Sequence, residues 1–144
     1  MPYKNILVAL DYGREATTVL KKAVVLSKQN DARLHVIHVV EPVDLTSPYD
    51  LAPVLPHELE EQMVKRARMF LGKLLDENHL NNIETIVAVG SVKSEIFSAA
   101  EKSNIDLIVM GTHGRHGVGL LLGSTATSIL HGTPCDVLAV KISS

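Results

Sequence analysis

A chain of 144 residues has the size of one domain, and its 14 basic and 16 acidic side chains nearly balance, which argues against a general nucleic-acid binder. It has no tryptophan, two phenylalanines and three tyrosines, which excludes stacking platforms for bases and predicts an aliphatic core. One cysteine excludes an internal disulfide, and the first apolar run is too short for a signal peptide or a membrane span. We therefore expect a single cytoplasmic domain, residues 1–144, with no nucleic-acid or membrane partner.

Short apolar runs alternate along the chain with segments of helical periodicity. The predicted strands are Ile6–Leu10, Leu34–Val40, Ile83–Val89, Leu107–Met110 and Asp136–Ile142. The predicted helices are Arg14–Asn30, His57–Asn78, a third from an N-cap at Ser91 to about Lys102, and Ser124–His131. Four prolines make the segment from Glu41 to Pro56 a long crossover loop. This alternation predicts an α/β fold, an open doubly wound five-stranded parallel sheet with helices on both faces.

The segment Met110–Thr125 is the strongest candidate for a ligand-binding element. Ligands of doubly wound sheets bind beyond the carboxyl ends of the strands, and this segment joins the fourth strand to the fourth helix. It contains five glycines, which permit close approach of the backbone to a ligand, and it ends at a helix N-terminus that can hold an anion. The glycines alone leave two interpretations open, a phosphate-binding loop or a flexible surface connection.

Several stretches together resemble the universal stress protein family over essentially the whole chain. The opening Tyr3–Asp11 resembles the family's first strand with its terminal aspartate, and His38-Val39 resembles the pair that ends the second strand. Asp106–Gly114, with Gly123-Ser124 after it, resembles the ATP-binding signature of Gly, two residues, Gly, nine residues, Gly and then Ser or Thr. The tail Pro134–Val140 resembles the last strand of the family.

The chain departs from the family pattern at two places. Only the eight residues of Arg115–Leu122 separate Gly114 from Gly123, and Gly13 stands where many members carry serine. The opening is similar to that of the UspA branch, some of whose members do not bind nucleotide and typically lack the glycines. The resemblance therefore implies ATP binding, with a nucleotide-free interaction module as the alternative.

The resemblance also implies the strand order 3-2-1-4-5 and a set of ligand contacts. The base would meet Ala9, Leu10 and Val39, the ribose and phosphates would meet Met110, Gly111, Gly114, Gly123, Ser124 and Thr125, and Asp11 would hold Mg²⁺ beside the phosphates. Arg115 could reach a phosphate. Five of these residues have a structural alternative: plain core for Ala9, Leu10 and Val39, and helix capping for Asp11 and Ser124.

Other residues of interest are assigned no chemistry. His113 and His116 lack the further ligands that a zinc site needs, and Cys135 is interpreted as a packing residue. No catalytic motif is present, so ATP hydrolysis is expected to be slow at most. The apolar last strand, Asp136–Ile142, would lie at a sheet edge, and in the family it pairs with its symmetry mate, which implies a homodimer.

Overall fold

The computed structural model describes residues 2–42, 56–112 and 124–142. The strands are β1 (Asn5–Ala9), β2 (Arg33–Val40), β3 (Glu84–Val89), β4 (Leu107–Gly111) and β5 (Asp136–Val140). The helices are α1 (Glu15–Asn30), α2 (Pro56–Glu77), α3 (Val92–Lys102) and α4 (Ser124–Leu130). The body of the predicted crossover loop, residues 43–55, and most of the glycine-rich segment, residues 113–123, lie outside the described residues.

The five strands form one parallel sheet in the order β3-β2-β1-β4-β5, which confirms the predicted fold and strand order. From β1 the chain builds outward through β2 to β3, and it then crosses back to add β4 and β5 on the other side of β1. The direction of winding therefore reverses between β1 and β4. The carboxyl ends of these two strands flank the switch point, where sheets of this type bind ligands.

Alternating residues of the central strands supply two separate cores. Ile6 and Val8 of β1 pack with α1 and α2, whereas Leu7 between them packs with α3 and α4. In β4, likewise, Val109 belongs to the first core and Ile108 to the second. The near-continuous apolar runs predicted as strands thus have the burial expected of a sheet covered on both faces.

Two strands end earlier than predicted. At each end, a side chain forms a hydrogen bond with a backbone group that would otherwise be free to extend the sheet. Strand β1 ends at Ala9, since the carbonyl of Leu10 accepts a hydrogen bond from the His38 ring at 2.8 Å. Strand β5 ends at Val140, and the N–H of Ile142 donates to Thr112 Oγ1 at 3.1 Å instead of extending a ladder.

The other element ends agree with the predictions to within one residue. Helix α2 begins at Pro56. Proline suits the first helical turn, because the N–H groups of that turn have no acceptor within the helix and the N–H that proline lacks therefore costs no hydrogen bond. The predicted N-cap of α3 is confirmed, since Ser91 Oγ accepts a hydrogen bond from the N–H of Ser94 at 3.3 Å.

The amino ends of the strands are joined by polar contacts. The Asp106 carboxylate accepts hydrogen bonds from the N–H groups of Lys4 (2.8 Å) and Asn5 (3.1 Å), which ties the start of β1 to the segment before β4. Tyr3 donates its hydroxyl to Asp136 Oδ2 at 2.8 Å, and this bond raises the pKa of Tyr3. These contacts lie at the end of the sheet opposite the switch point.

Candidate functional site

A cleft opens at the carboxyl ends of β1, β2 and β4, with helices α1, α3 and α4 contributing to its walls. Its lining residues are Ala9, Leu10, Asp11, Tyr12, Glu15, Ala16, Val19, Ile37, His38, Val39, Glu41, Val92, Ile96, Met110, Gly111, Thr125 and Ala126. The lining is mainly aliphatic and carries a few polar groups, which is the usual character of a small-molecule site.

Most of the described residues that the sequence singled out meet in this one cleft. Ala9, Leu10, Asp11, Val39, Met110, Gly111 and Thr125 all line it. Ser124 is the first residue of α4, directly before Thr125. Gly114, Arg115 and Gly123 lie outside the described residues, as do His113 and His116.

The turn from β1 into α1 forms one wall of the cleft. Asp11 Oδ1 accepts a hydrogen bond from the N–H of Tyr12 at 2.8 Å, while the cap position of α1 is taken by Arg14, which makes no side-chain cap bond. Gly13 has φ of 141°, and a Cβ built on it would stand 2.7 Å from Glu15 Oε2. Glycine in place of the family's frequent serine therefore suits the local backbone, which a side chain would strain.

His38 is the most buried polar group of the cleft, with 4% of its surface exposed. Its Nδ1 lies 2.8 Å from the carbonyl oxygen of Leu10, and because a carbonyl can only accept, Nδ1 carries the hydrogen. The His38 ring is 4.6 Å from the ring of Tyr12, which in turn is 4.8 Å from Phe70 on α2. His38 thus holds the end of β1 in position and joins it to an aromatic cluster under α2.

The sequence placed His38 in a candidate strand end but assigned it no contact, and it did not assign Tyr12, Glu15 or Glu41 to the site. A signal existed for His38, because a polar side chain inside an otherwise apolar strand needs a buried partner. No comparable signal marks Glu15 and Glu41, which are exposed acids at the start of a helix and the end of a strand. Their convergence on one cleft follows from the parallel pairing of β1 with β2.

Cys135 is absent from the lining of this cleft. The Cys135 side chain packs against the core between the sheet, α3 and α4, and burial raises the pKa of its thiol. A raised pKa lowers the thiolate fraction at neutral pH, so this thiol is a poor nucleophile. This agrees with the interpretation of Cys135 as a packing residue.

The described ranges contain neither a cluster of candidate metal ligands nor a helix that could span a membrane. Within residues 2–42, 56–112 and 124–142, no three His, Cys, Asp or Glu side chains are grouped so that they could hold a metal ion. In the same ranges, no helix is both long enough and apolar enough to cross a membrane.

A parallel sheet with a mainly apolar cleft at its switch point defines a doubly wound α/β domain, and the cleft lies where domains of this class bind their ligands. Comparison with known families refines this assignment. The Usp model, for the universal stress protein family, matches residues 2–141. The chain belongs to the universal stress protein family.

Individual relatives agree with this assignment along nearly their whole length. Universal stress protein A homolog 2 of Coxiella burnetii is 39% identical over 142 residues, which cover 97% of this chain and 96% of the relative. The structure of universal stress protein UspA from Lactobacillus plantarum has a TM-score of 0.82 at 27% identity, with 97% and 99% of the two chains covered. A universal stress protein solved in complex with cAMP shares the fold, with a TM-score of 0.64 at 20% identity over 97% of this chain and 98% of that one.

Proposed function

We propose that this protein is a cytoplasmic stress-response protein that binds ATP or a related adenine nucleotide as a regulatory ligand. The observation that carries the proposal is the convergence of Asp11, Val39 and Thr125, from three separate elements, on one cleft at the switch point. A ligand that binds only the native state stabilises that state by mass action. Nucleotide binding would therefore change the stability of the fold without any reaction of the nucleotide.

The cleft divides into an apolar part and a polar part. Ala9, Leu10 and Val39 form aliphatic surface at the strand ends, where the base would lie. Thr125 stands in the first turn of α4, on the side where phosphates would lie. Glycines 111, 114 and 123, Arg115 and Ser124 would complete the phosphate contacts, as the sequence signature predicts.

Magnesium would accompany the phosphates. The Asp11 carboxylate lines the cleft, and carboxylate oxygen is a donor that Mg²⁺ prefers. The described residues offer no ready-made cluster of three ligands, so the ion would depend on phosphate oxygens and water for the rest of its shell. Its contribution would be to neutralise phosphate charge beside Asp11.

Two further observations support an adenine nucleotide. One protein of this fold was solved with cAMP, an adenine nucleotide. The spacing Gly111-Thr112-His113-Gly114 reproduces the first half of the ATP-binding signature, and Gly123-Ser124 supplies its second half one residue early. Two alternatives make different predictions for a titration with ATP. A nucleotide-free interaction module would not bind ATP, whereas a weak ATPase would bind ATP and release phosphate.

Isothermal titration of the purified protein with ATP and Mg²⁺ is expected to show saturable binding, and a Gly123→Val variant is expected to lose at least about tenfold in affinity. The matched control is Gly72→Val on the solvent face of α2, where a Cβ would meet nothing within 4 Å. Absence of binding by the wild type would favour the nucleotide-free module. Equal binding by wild type and Gly123→Val would overturn the loop assignment, and rapid phosphate release would favour the ATPase.

We further propose that β5 mediates a homodimer. Strand β5 lies at the sheet edge, and its residues Val137 to Val140 are all partly exposed and uncharged. An apolar edge of this kind presents unpaired backbone groups to a second strand. Sedimentation velocity at micromolar concentration is expected to give twice the mass of one chain, and a monomer alone would contradict the proposal.

A further inference from the structure

Strand β3 forms the edge of the sheet opposite β5, and its outer side is not protected by charge. The residues from Thr85 to Val89 are uncharged and at least partly exposed, Val89 with 36% of its surface. Glu84 is the only charged residue of the strand, and its Oε2 lies 2.9 Å from Nδ1 of the buried His35 on β2. The carboxylate therefore points back over the sheet. Natural edge strands usually carry a charge or a proline that prevents pairing, so β3 is open to a further strand.

One hydrogen bond identifies the backbone groups that face outward at this edge. The N–H of Gly90 donates to the carbonyl of Val40 on β2 at 3.0 Å. Because successive backbone groups of a strand point to opposite sides, the N–H and C=O groups of Thr85, Val87 and Val89 point away from β2. Among the described residues, no strand lies on that side. These three residues therefore offer donors and acceptors to an added strand.

A shallow groove lies between this edge and α2. Its described lining consists of Val89 from β3 together with His57, Glu60, Glu61, Val64, Lys65 and Arg68 from α2. Helix α2 begins beyond the carboxyl end of β2 and runs back toward the amino end of β3. Lys65 and Arg68 therefore lie further along β3 than the two glutamates. An added strand would pass these two cations on its α2 side.

The two cations of the groove are available to a partner. Both side chains are exposed, and neither Lys65 nor Arg68 forms an ion pair with any described residue. Glu61, by contrast, has Oε1 3.7 Å from Nε2 of His57. Unpaired cations beside an open strand edge are complementary to carboxylates, and the guanidinium of arginine can bind a carboxylate through two hydrogen bonds.

The α3 side of the same edge is apolar. Side chains alternate between the two faces of a strand, so Ile86 and Ala88 point to the face covered by α3. Both are only partly buried against that core, as is Phe97 of α3. An added strand would therefore place acidic side chains toward α2 and apolar side chains toward α3, which requires them at alternate positions.

We propose that the β3 edge is a docking site for an extended segment of another protein in which acidic and apolar residues alternate. Main-chain hydrogen bonds to Thr85, Val87 and Val89 would supply affinity, as in other complexes formed by strand addition. Carboxylates beside Lys65 and Arg68 would supply selectivity. In a two-fold pairing of two β3 strands, the same cations of both chains would come to one side of the joined sheet and repel, so the charges favour a different partner. The site is separate from the cleft and from β5, and it stays free in the proposed homodimer.

The probes are two short peptides with blocked ends, one in which valine alternates with glutamate and one in which lysine replaces the glutamate. NMR titration of the isotope-labelled protein is carried out at low ionic strength, where exposed charges are least screened. The glutamate peptide is expected to shift the amide signals of Thr85, Val87 and Val89 in a saturable manner and to slow their hydrogen exchange. The lysine peptide is expected to bind at least about fivefold more weakly.

The double variant Lys65→Glu with Arg68→Glu is expected to reverse that preference, so that the lysine peptide binds about fivefold more tightly than the glutamate peptide. Its matched control is Lys21→Glu with Lys22→Glu. This control makes the same change of net charge at exposed residues of α1, a helix that packs on β1, β2 and β4, and it should retain the preference of the wild type.

A backbone variant tests the pairing itself. Val89→Pro removes an outward N–H without removing a hydrogen bond to β2, and proline is tolerated at such edge positions. It is expected to weaken binding of the glutamate peptide at least about fivefold, because a main-chain donor is lost. Thermal melts of each variant establish that the fold is intact.

Four results would overturn the proposal. The first is slowed exchange at the amides of β5 instead of those of β3. The second is equal affinity for the two peptides, and the third is no binding of the glutamate peptide at about 1 mM. The fourth is self-association of the protein that Val89→Pro abolishes, since this would show that a second copy of the chain occupies the edge.

Discussion

A His38→Leu variant is expected to lose about 1–3 kcal/mol of unfolding free energy and to bind adenine nucleotide about tenfold more weakly. The reason is the 2.8 Å hydrogen bond from Nδ1 to the carbonyl of Leu10, a residue with 4% of its surface exposed. Leucine can fill part of the space but cannot donate, so a buried acceptor would be left unpaired. Leu10 and Asp11, which follow β1 and line the cleft, would lose this side-chain tie to β2, while the N–H of Leu10 would keep its 2.9 Å hydrogen bond to the carbonyl of Ile37.

Urea unfolding measures the first effect, and calorimetry well below the melting temperature measures the second. His38→Asn is the matched control, because the asparagine amide can place a donor near the position of Nδ1. We expect it to recover more of the binding than of the stability, since it lacks the ring that contacts Tyr12. Equal loss of affinity in the leucine and asparagine variants would show that the hydrogen bond does not position the site.

An Ile108→Ala variant is expected to lose about 2–5 kcal/mol of unfolding free energy. Ile108 lies in β4 between β1 and β5, has none of its surface exposed, and packs into the core formed with α3 and α4. Truncating a fully buried aliphatic side chain loses its transfer free energy and leaves a cavity. Since native domains are stable by only about 5–15 kcal/mol, the midpoint of urea unfolding should fall markedly.

Val25→Ala is the control for that experiment. Val25 lies on α1 with 49% of its surface exposed, so its truncation should change the unfolding free energy by no more than about 0.5 kcal/mol. If the two variants were destabilised equally, Ile108 could not occupy the interior of a sheet covered on both faces. The strand assignment itself would then be wrong.

The strands and helices were predictable because they depend on local patterns. The chain has five apolar runs, each of the length of a buried strand, and segments of helical periodicity lie between them. This alternation predicts a parallel sheet with helical crossovers. Element ends were correct to within one residue, except for β5, which ends two residues early at Val140. There the N–H of Ile142 donates a hydrogen bond to the hydroxyl of Thr112, which lies 30 residues earlier in the chain. No local sequence pattern predicts a contact over that separation.

The lining of the cleft was predictable where it consists of strand ends. Asp11, Val39 and Gly111 each follow or end an apolar run, and the carboxyl ends of parallel strands share one edge of the sheet. ATP and Mg²⁺ binding, and contacts from Gly114, Arg115 and Gly123, remain proposals taken from the resemblance. The shortened spacing between Gly114 and Gly123 is why the titration of Gly123→Val decides between the interpretations.

By itself, then, the sequence determined the class of fold, the family and the edge of the sheet at which a ligand would bind. It did so because apolar periodicity and short motifs are properties of neighbouring residues. Only the tertiary structure decided that His38 holds the carbonyl of Leu10 and that Glu15 and Glu41 face the same cleft. Those relations depend on the register of β1 against β2, which brings together side chains that are 26 or more residues apart in the chain.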